Sequence, residues 1–131
     1  MAKRDKLKPL VLGKLPIDAL KRAGIAVGDG DVIFSIAAQR HAISRHAHEF
    51  EMCRPYLSLA VGSPTHVGQG PEHKNLGFEL IYEHVDGNTI VLVAVHLEPR
   101  LDGTYIVKSA YPINRDKLER RIRKKFVILA K

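Results

Sequence analysis

The first half of the chain spaces its hydrophobic residues as helices do. Pro16 opens a short apolar stretch that Gly24 closes, which predicts a helix because proline favours the first turn and glycine the position after the last. A longer amphipathic helix is predicted from Ser35 to about Glu49, and a further helical stretch from 52 to 60. The apolar residues that share one arc of the longer helix are Ile36, Ile43, Ala47 and Phe50.

The second half changes to the alternating pattern of strands. Residues 78–84 and 89–97 alternate on either side of Asp86-Gly-Asn88, which predicts a β-hairpin. A third strand is expected at 105–111 and a final edge strand at 126–129. In the third strand, alternation predicts that Lys108 points away from a shared face formed by Tyr105, Val107, Ser109 and Tyr111.

Helices followed by an antiparallel sheet indicate an α+β fold. Residues 1–15 are predicted to be a basic arm or a first strand, and residues 16–131 a single domain without internal repeats. Asn114 is predicted to cap a basic C-terminal helix that extends through Lys124.

The net charge of the chain limits the classes of partner that it is expected to bind. Twenty-one Lys and Arg residues against fourteen Asp and Glu residues give a net charge of +7, which favours a polyanion. RNA, DNA, an acidic protein and an anionic membrane surface all meet that condition. The longest apolar run, 89–97, is too short to span a bilayer, and the N-terminus lacks the apolar core of a signal peptide. We therefore expect no transmembrane segment, no membrane partner and no signal peptide in this chain.

A cluster of basic side chains in the long predicted helix is the main candidate for catalysis. Metal-free RNA cleavage needs a base for the 2′-hydroxyl proton, an acid for the leaving oxygen and fixed positive charge for the phosphate. His41 and His46 can act as acid and base near neutral pH, and Arg45, one turn after His41, can bind the same phosphate. The alternative is a solvated basic face in which His46 is a structural residue at the apolar edge.

Two hydroxyls and the C-terminal helix complete the candidate set. Ser109 and Tyr111 could donate hydrogen bonds to a phosphate, although packing alone also explains them. The basic helix suits a phosphate backbone, or is simply a solvated helix end. Its candidate RNA-binding residues are Arg115, Lys117, Arg120, Arg121 and Lys124.

A metal or cofactor site is not predicted. His41 and His48 lie about two helical turns apart, roughly 10 Å, which is too far to share one ion. No glycine-rich nucleotide motif occurs. The single cysteine, Cys53, excludes an intramolecular disulfide and is predicted to be a core residue.

The order of these features resembles the BECR superfamily of small nucleases, which groups barnase, EndoU, colicin D and RelE. The likeness covers roughly residues 10–130 and is strongest to the phage-associated and polymorphic-toxin branch. It depends on a short N-terminal helix, His-x-x-x-Arg-His at 41–46, a Ser-Pro turn at 63–64, a hairpin, Ser-x-Tyr-Pro at 109–112 and a basic final helix. His48 has no counterpart in this pattern.

The resemblance implies N-terminal helices packed on a roughly four-stranded antiparallel sheet, and metal-independent cleavage of RNA, commonly tRNA, that leaves a 2′,3′-cyclic phosphate. It assigns His41 and His46 as acid and base, Arg45 as the phosphate clamp, and Ser109 with Tyr111 as partners on a strand. It also implies action in the cytoplasm of a producing or target cell and neutralisation by an acidic immunity protein. A non-catalytic basic nucleic-acid-binding module is the alternative prediction.

Overall fold

The computed structural model describes residues 7–71 and 74–131, in which an α+β fold is built on one mixed sheet. Seven strands of this part of the chain join in the order β1-β2-β6-β5-β4-β3-β7. The strands are β1 Leu10–Lys14, β2 Asp31–Phe34, β3 His66–Gly68, β4 Gly77–Glu83, β5 Ile90–His96, β6 Tyr105–Pro112 and β7 Val127–Leu129. The predicted α+β class is confirmed, and the sheet is larger than the four strands expected.

The helices are α1 Ile17–Arg22, α2 Ile36–Cys53, α3 Leu57–Gly62 and α4 Arg115–Arg123, with a 3-10 turn at Arg54–Tyr56 between α2 and α3. Helices α1 and α4 begin and end within two residues of the prediction, whereas α2 extends to Cys53 and α3 begins at Leu57, later than the predicted residue 52. Asn114 caps α4 as predicted, because its side chain accepts a hydrogen bond from the backbone N–H of Lys117 at 2.8 Å. Ser35 caps α2 in the same way. The first strand confirms one alternative for residues 1–15, of which residues 1–6 lie outside the described part.

Two hydrophobic cores occupy the two faces of the sheet. The main core lies under α1, α2 and α3, and the second core lies under α4. On β4, Phe78 and Leu80 face the main core, whereas Ile81 faces the second. No helix of the described residues is both long enough and apolar enough to cross a bilayer.

Helix α4 is anchored by a buried ion pair as well as by apolar contact. Leu118 is fully buried, whereas Ile122, one helical turn later, is 43% exposed. Arg121, rather than Ile122, packs against the sheet. Its Nε donates a hydrogen bond to Glu79 Oε1 at 3.0 Å, and the Glu79 side chain is 1% exposed. Arg121 was predicted to face RNA. The structure directs its guanidinium to a buried carboxylate instead.

Replacement of Arg121 by Met should therefore destabilise the fold strongly. Removing one partner of a buried ion pair costs about 3 to 5 kcal/mol of the free energy of unfolding, because the attraction that offset the burial of the other charge is lost. Arg120→Met on the exposed side of the same helix should change this free energy by about 0.5 kcal/mol or less. Urea denaturation of both variants measures the difference, and equal stabilities would show that the Glu79–Arg121 pair does not anchor α4.

Stability should also depend on the protonation of His66, a buried residue of β3. Burial lowers the pKa of its imidazole below the ordinary value of 6.5; Arg115 lowers it further, and Glu83 opposes the shift. As the pH falls, the unfolded chain takes up the proton first. The free energy of unfolding is therefore highest above pH 6.5 and declines below it until the folded-state pKa is reached.

Urea unfolding from about pH 7.5 to about pH 5.5 should show this decline in the wild type and a smaller one in His66→Gln. His48→Gln is the matched control because His48 is exposed on α2, and it should keep the wild-type dependence. The same pH dependence in both variants would contradict the assignment to His66.

Candidate functional site

A cleft of about 430 Å³ lies where one edge of β6 is left open. Strand β2 pairs with β6 in parallel at Val32↔Tyr105 and Ile33↔Ile106, and no other strand of the described chain continues along that edge. Helix α2 lies on one side of the cleft and the start of α4 on the other. The lining residues are Ala38, His41, Ala42, Arg45, His46, Glu49, Phe50, Lys108, Ser109, Ala110, Tyr111, Pro112 and Lys117.

A β-bulge at Lys108 decides which β6 side chains reach this cleft. Ser109 pairs with Ala94 of β5, whereas Val107 pairs with the next residue, Val95, so that Lys108 is the extra residue. Such a bulge reverses the faces of the strand beyond it. The prediction of one shared face is therefore wrong: Tyr105 and Val107 lie in the main core, while Ser109 and Tyr111 turn to the face of the second core. Lys108, the extra residue, is exposed and lines the cleft.

The backbone of α2 is kinked at His46, whose side chain lines the cleft together with His41. On an uninterrupted helix, His41 and His46 would project about 140° apart. The backbone of His46 leaves the helical region, at φ −150° and ψ 64°, and both side chains line the cleft. The same kink explains why Ala47, predicted on the apolar arc, is exposed, whereas Phe50 is buried against Phe34 with ring centroids 5.9 Å apart.

A carboxylate holds the imidazole of His46. Nδ1 of His46 lies 2.9 Å from Oε1 of Glu49, one helical turn later, and both side chains are about half exposed. When the imidazole is neutral, its Nδ1–H can donate a hydrogen bond to the carboxylate, which leaves the lone pair of Nε2 free. This arrangement of a histidine and an orienting carboxylate occurs in many acid–base sites. Nothing in the sequence pattern singled out Glu49 beyond its position three residues after His46.

The cleft carries an excess of positive charge. Arg45, Lys108 and Lys117 contribute cations from three different elements, whereas Glu49 is the single acid among the lining residues. The lining also carries two hydroxyls, on Ser109 and Tyr111. Cations and hydroxyl donors around a cleft suit a phosphate, which accepts hydrogen bonds on every oxygen.

The structure therefore brings together all five predicted catalytic residues around one cleft, whereas His48 lies outside its lining. The predicted RNA-binding residues of α4 divide into two groups. Arg115 contacts Glu83 and the backbone carbonyl of Gly87, and Arg121 contacts Glu79. The remaining three cations are spaced three and four residues apart and therefore lie on one flank of α4: Lys117, Arg120 and Lys124. Of these, Lys117 lines the cleft.

Two further features concern metal and thiol chemistry. Within residues 7–71 and 74–131, no group of three His, Cys, Asp or Glu side chains is arranged to hold a metal ion. Cys53 is fully buried in the main core, which confirms its prediction as a core residue. Burial, with a smaller effect of Glu49, raises the pKa of its thiol to about 12. A thiol in that state is a poor nucleophile near neutral pH.

Comparison with protein-family models, with curated proteins and with solved structures finds no significant match. What the cleft can do must therefore be inferred from its own geometry.

The contact with Glu49 should fix the tautomer of His46. We expect long-range proton–nitrogen NMR spectra of the neutral imidazole to show the proton on Nδ1 in the wild type. Glu49→Ala should shift the proton towards Nε2. Glu51→Ala is the matched control, because Glu51 lies on the same helix but contacts Arg54 at 3.7 Å. An unchanged spectrum in Glu49→Ala would show that the carboxylate does not orient the ring.

Proposed function

We propose that this protein is a metal-independent endoribonuclease of toxin type, whose scissile phosphate lies in the cleft between α2, β6 and α4. One observation carries the proposal. Two imidazoles, one of them held by a carboxylate, line a single cleft together with three cations and two hydroxyls. This set supplies the base, the acid and the fixed positive charge that cleavage by a neighbouring 2′-hydroxyl requires.

The orientation of His46 suggests which histidine acts as the base. With Nδ1–H donated to Glu49, Nε2 of His46 is free to take the 2′-hydroxyl proton, and the carboxylate then stabilises the imidazolium that forms. The 2′-oxygen attacks phosphorus, and the bond from phosphorus to the 5′-oxygen breaks. His41, the second imidazole of the cleft, gives its proton to that leaving oxygen. The products are a 2′,3′-cyclic phosphate and a free 5′-hydroxyl.

The cations act on the phosphate rather than on the proton. Arg45 offers a planar fork of donors that matches two phosphate oxygens, and Lys108 reaches the same cleft from the bulge of β6. Ser109 and Tyr111 supply hydroxyl donors from the next positions of the strand. Donors already in position thus stabilise the negative charge that develops on the equatorial phosphate oxygens. Such preorganised stabilisation is a major contribution to catalysis in sites of this kind.

The substrate's backbone continues along one flank of α4. Lys117 belongs to the cleft, and Arg120 and Lys124 follow it at intervals of three and four residues. Arg115 and Arg121 contribute to the local field but are engaged by Glu83 and Glu79. The proposed substrate is RNA, with tRNA as the form that the resemblance favours. An acidic immunity protein that covered the cleft would use the same positive charge.

Cleavage in the presence of EDTA tests the proposal. Arg45→Ala and His46→Ala should each reduce the rate of RNA cleavage by about a hundredfold or more, because each removes a group that acts in the transition state. The reaction is followed on radiolabelled RNA, with end-group analysis for the cyclic phosphate. His48→Ala removes a histidine of the same helix that lies outside the cleft lining, and it should retain the wild-type rate.

Salt-sensitive RNA binding without cleavage would identify a non-catalytic basic binding module instead. Cleavage that required an added divalent metal would also contradict the mechanism. Circular dichroism of each variant is the control for folding.

A further inference from the structure

An aromatic cluster lies beside the hairpin of β4 and β5. Tyr56 of the 3-10 turn stacks on Tyr82 of β4, with ring centroids 5.9 Å apart and planes at 22°. The imidazole of His84 lies 4.8 Å from the ring of Tyr56 and 5.9 Å from that of Tyr82. We use the name aromatic cluster for these three residues. They come from two segments far apart in sequence, so no local aromatic motif in the sequence indicates them.

Tyr56 and Tyr82 pack against the main core with part of their surface, but the cluster is more exposed than a core tyrosine. All three side chains are partly exposed, and Val85, the next residue after His84, is 93% exposed. Tyr105, by contrast, is 3% exposed, and its hydroxyl is occupied by the backbone N–H of Gly28 at 2.9 Å. The aromatic cluster therefore combines ring surface with access to solvent, which the core tyrosine lacks.

The cluster also offers polar groups that can contact the edge of a ring. The hydroxyl of Tyr82 lies 3.1 Å from Nδ1 of His84. When that hydroxyl donates to Nδ1, the proton of the neutral imidazole lies on Nε2 and is available as a donor. A flat partner with polar edges, such as a nucleobase, matches both features. A phosphate, which has no flat ring to stack on these aromatic side chains, does not suit the cluster.

The sheet register relates the cluster to the cleft. Tyr82 pairs with Val91 of β5, and Val91 pairs with Pro112 of β6, which lines the cleft. Residues paired across a sheet share one face, and two strand spacings separate Tyr82 from Pro112 by about 10 Å. The cluster thus lies near enough to the wall of the cleft for a nucleotide next to the one bound there to reach it.

We propose that the aromatic cluster of Tyr56, Tyr82 and His84 is a nucleobase-binding subsite for the RNA whose phosphate occupies the cleft. The inference rests on the proposed function and adds a substrate contact that the catalytic residues do not supply. Stacking on aromatic side chains is the usual means by which proteins hold unpaired RNA bases. The subsite thus favours single-stranded or looped RNA over a continuous duplex, in which the bases are already stacked.

A trinucleotide that contains 2-aminopurine tests the subsite directly. A 2′-deoxy sugar at the cleavable linkage prevents reaction, and stacking on an aromatic ring quenches the fluorescence of 2-aminopurine. The chain has no tryptophan, so that the probe is read without interference from indole. We expect quenching on binding to the wild type. Tyr82→Leu, which retains apolar contact but removes the ring, should abolish quenching and weaken binding by about tenfold or more.

Three further variants control the experiment. Tyr82→Phe keeps the ring and should keep the quenching. Phe126→Leu removes an aromatic ring beside Lys124, outside the cluster, and should behave as the wild type. If Tyr82→Leu does not fold, Tyr56→Leu removes the stacked partner from the turn and should give the same loss.

The outcomes separate this inference from the proposed function. Binding without quenching, unaffected by Tyr82→Leu and Tyr56→Leu, overturns the subsite and leaves the nuclease proposal standing if the all-ribose RNA is cleaved. Quenching that depends on Tyr82, together with no cleavage of the all-ribose RNA, supports the subsite and overturns the nuclease proposal. No binding of the trinucleotide and no cleavage overturn both.

Discussion

The early end of β2 is the constraint on which the site depends. Strand β2 contributes two paired positions to β6 and stops at Phe34, where Ser35 caps the next helix. Because α2 starts at that point, it must pack beside the remaining edge of β6 rather than over the centre of the sheet. The edge of β6 that β2 leaves unpaired forms one wall of the cleft. Helix α2, which follows β2 in the chain, forms another. A longer β2 would fill the site.

The open edge in turn accounts for two features of β6. A bulge is tolerated at Lys108 because no second strand must match its register there, and edge positions are where bulges concentrate. Pro112 is tolerated for a related reason. The N–H of Ile113 donates to Ile90 of β5, so that the neighbouring proline nitrogen faces the open side, where no ladder bond is lost. The bulge at Lys108 and the proline at the rim of the cleft are thus both tolerated because β2 stops pairing with β6 early.

Strong local patterns made part of this fold predictable from sequence. The hairpin of β4 and β5, the cap at Asn114 and the helix spacing around His41 and Arg45 all depend on residues near one another in the chain, and all are found. Strand β3 was missed because three residues are too few to show a period. The bulge at Lys108 and the kink at His46 were missed because each reflects tertiary packing that overrides local alternation. Glu49 and Lys108 joined the candidate set only when the structure placed them in the lining of the cleft.

Net charge alone was also a poor guide to which cations are available. Arg115 and Arg121 lie in the most basic segment of the chain, yet each contacts a glutamate of β4, Glu83 and Glu79 respectively. These contacts fix α4 against the sheet, and that fixed position is what holds Lys117 at the cleft. Because a preorganised cation stabilises developing charge better than a mobile one, the paired arginines support the site indirectly. The basic helix therefore divides its charge between anchoring itself and facing the cleft.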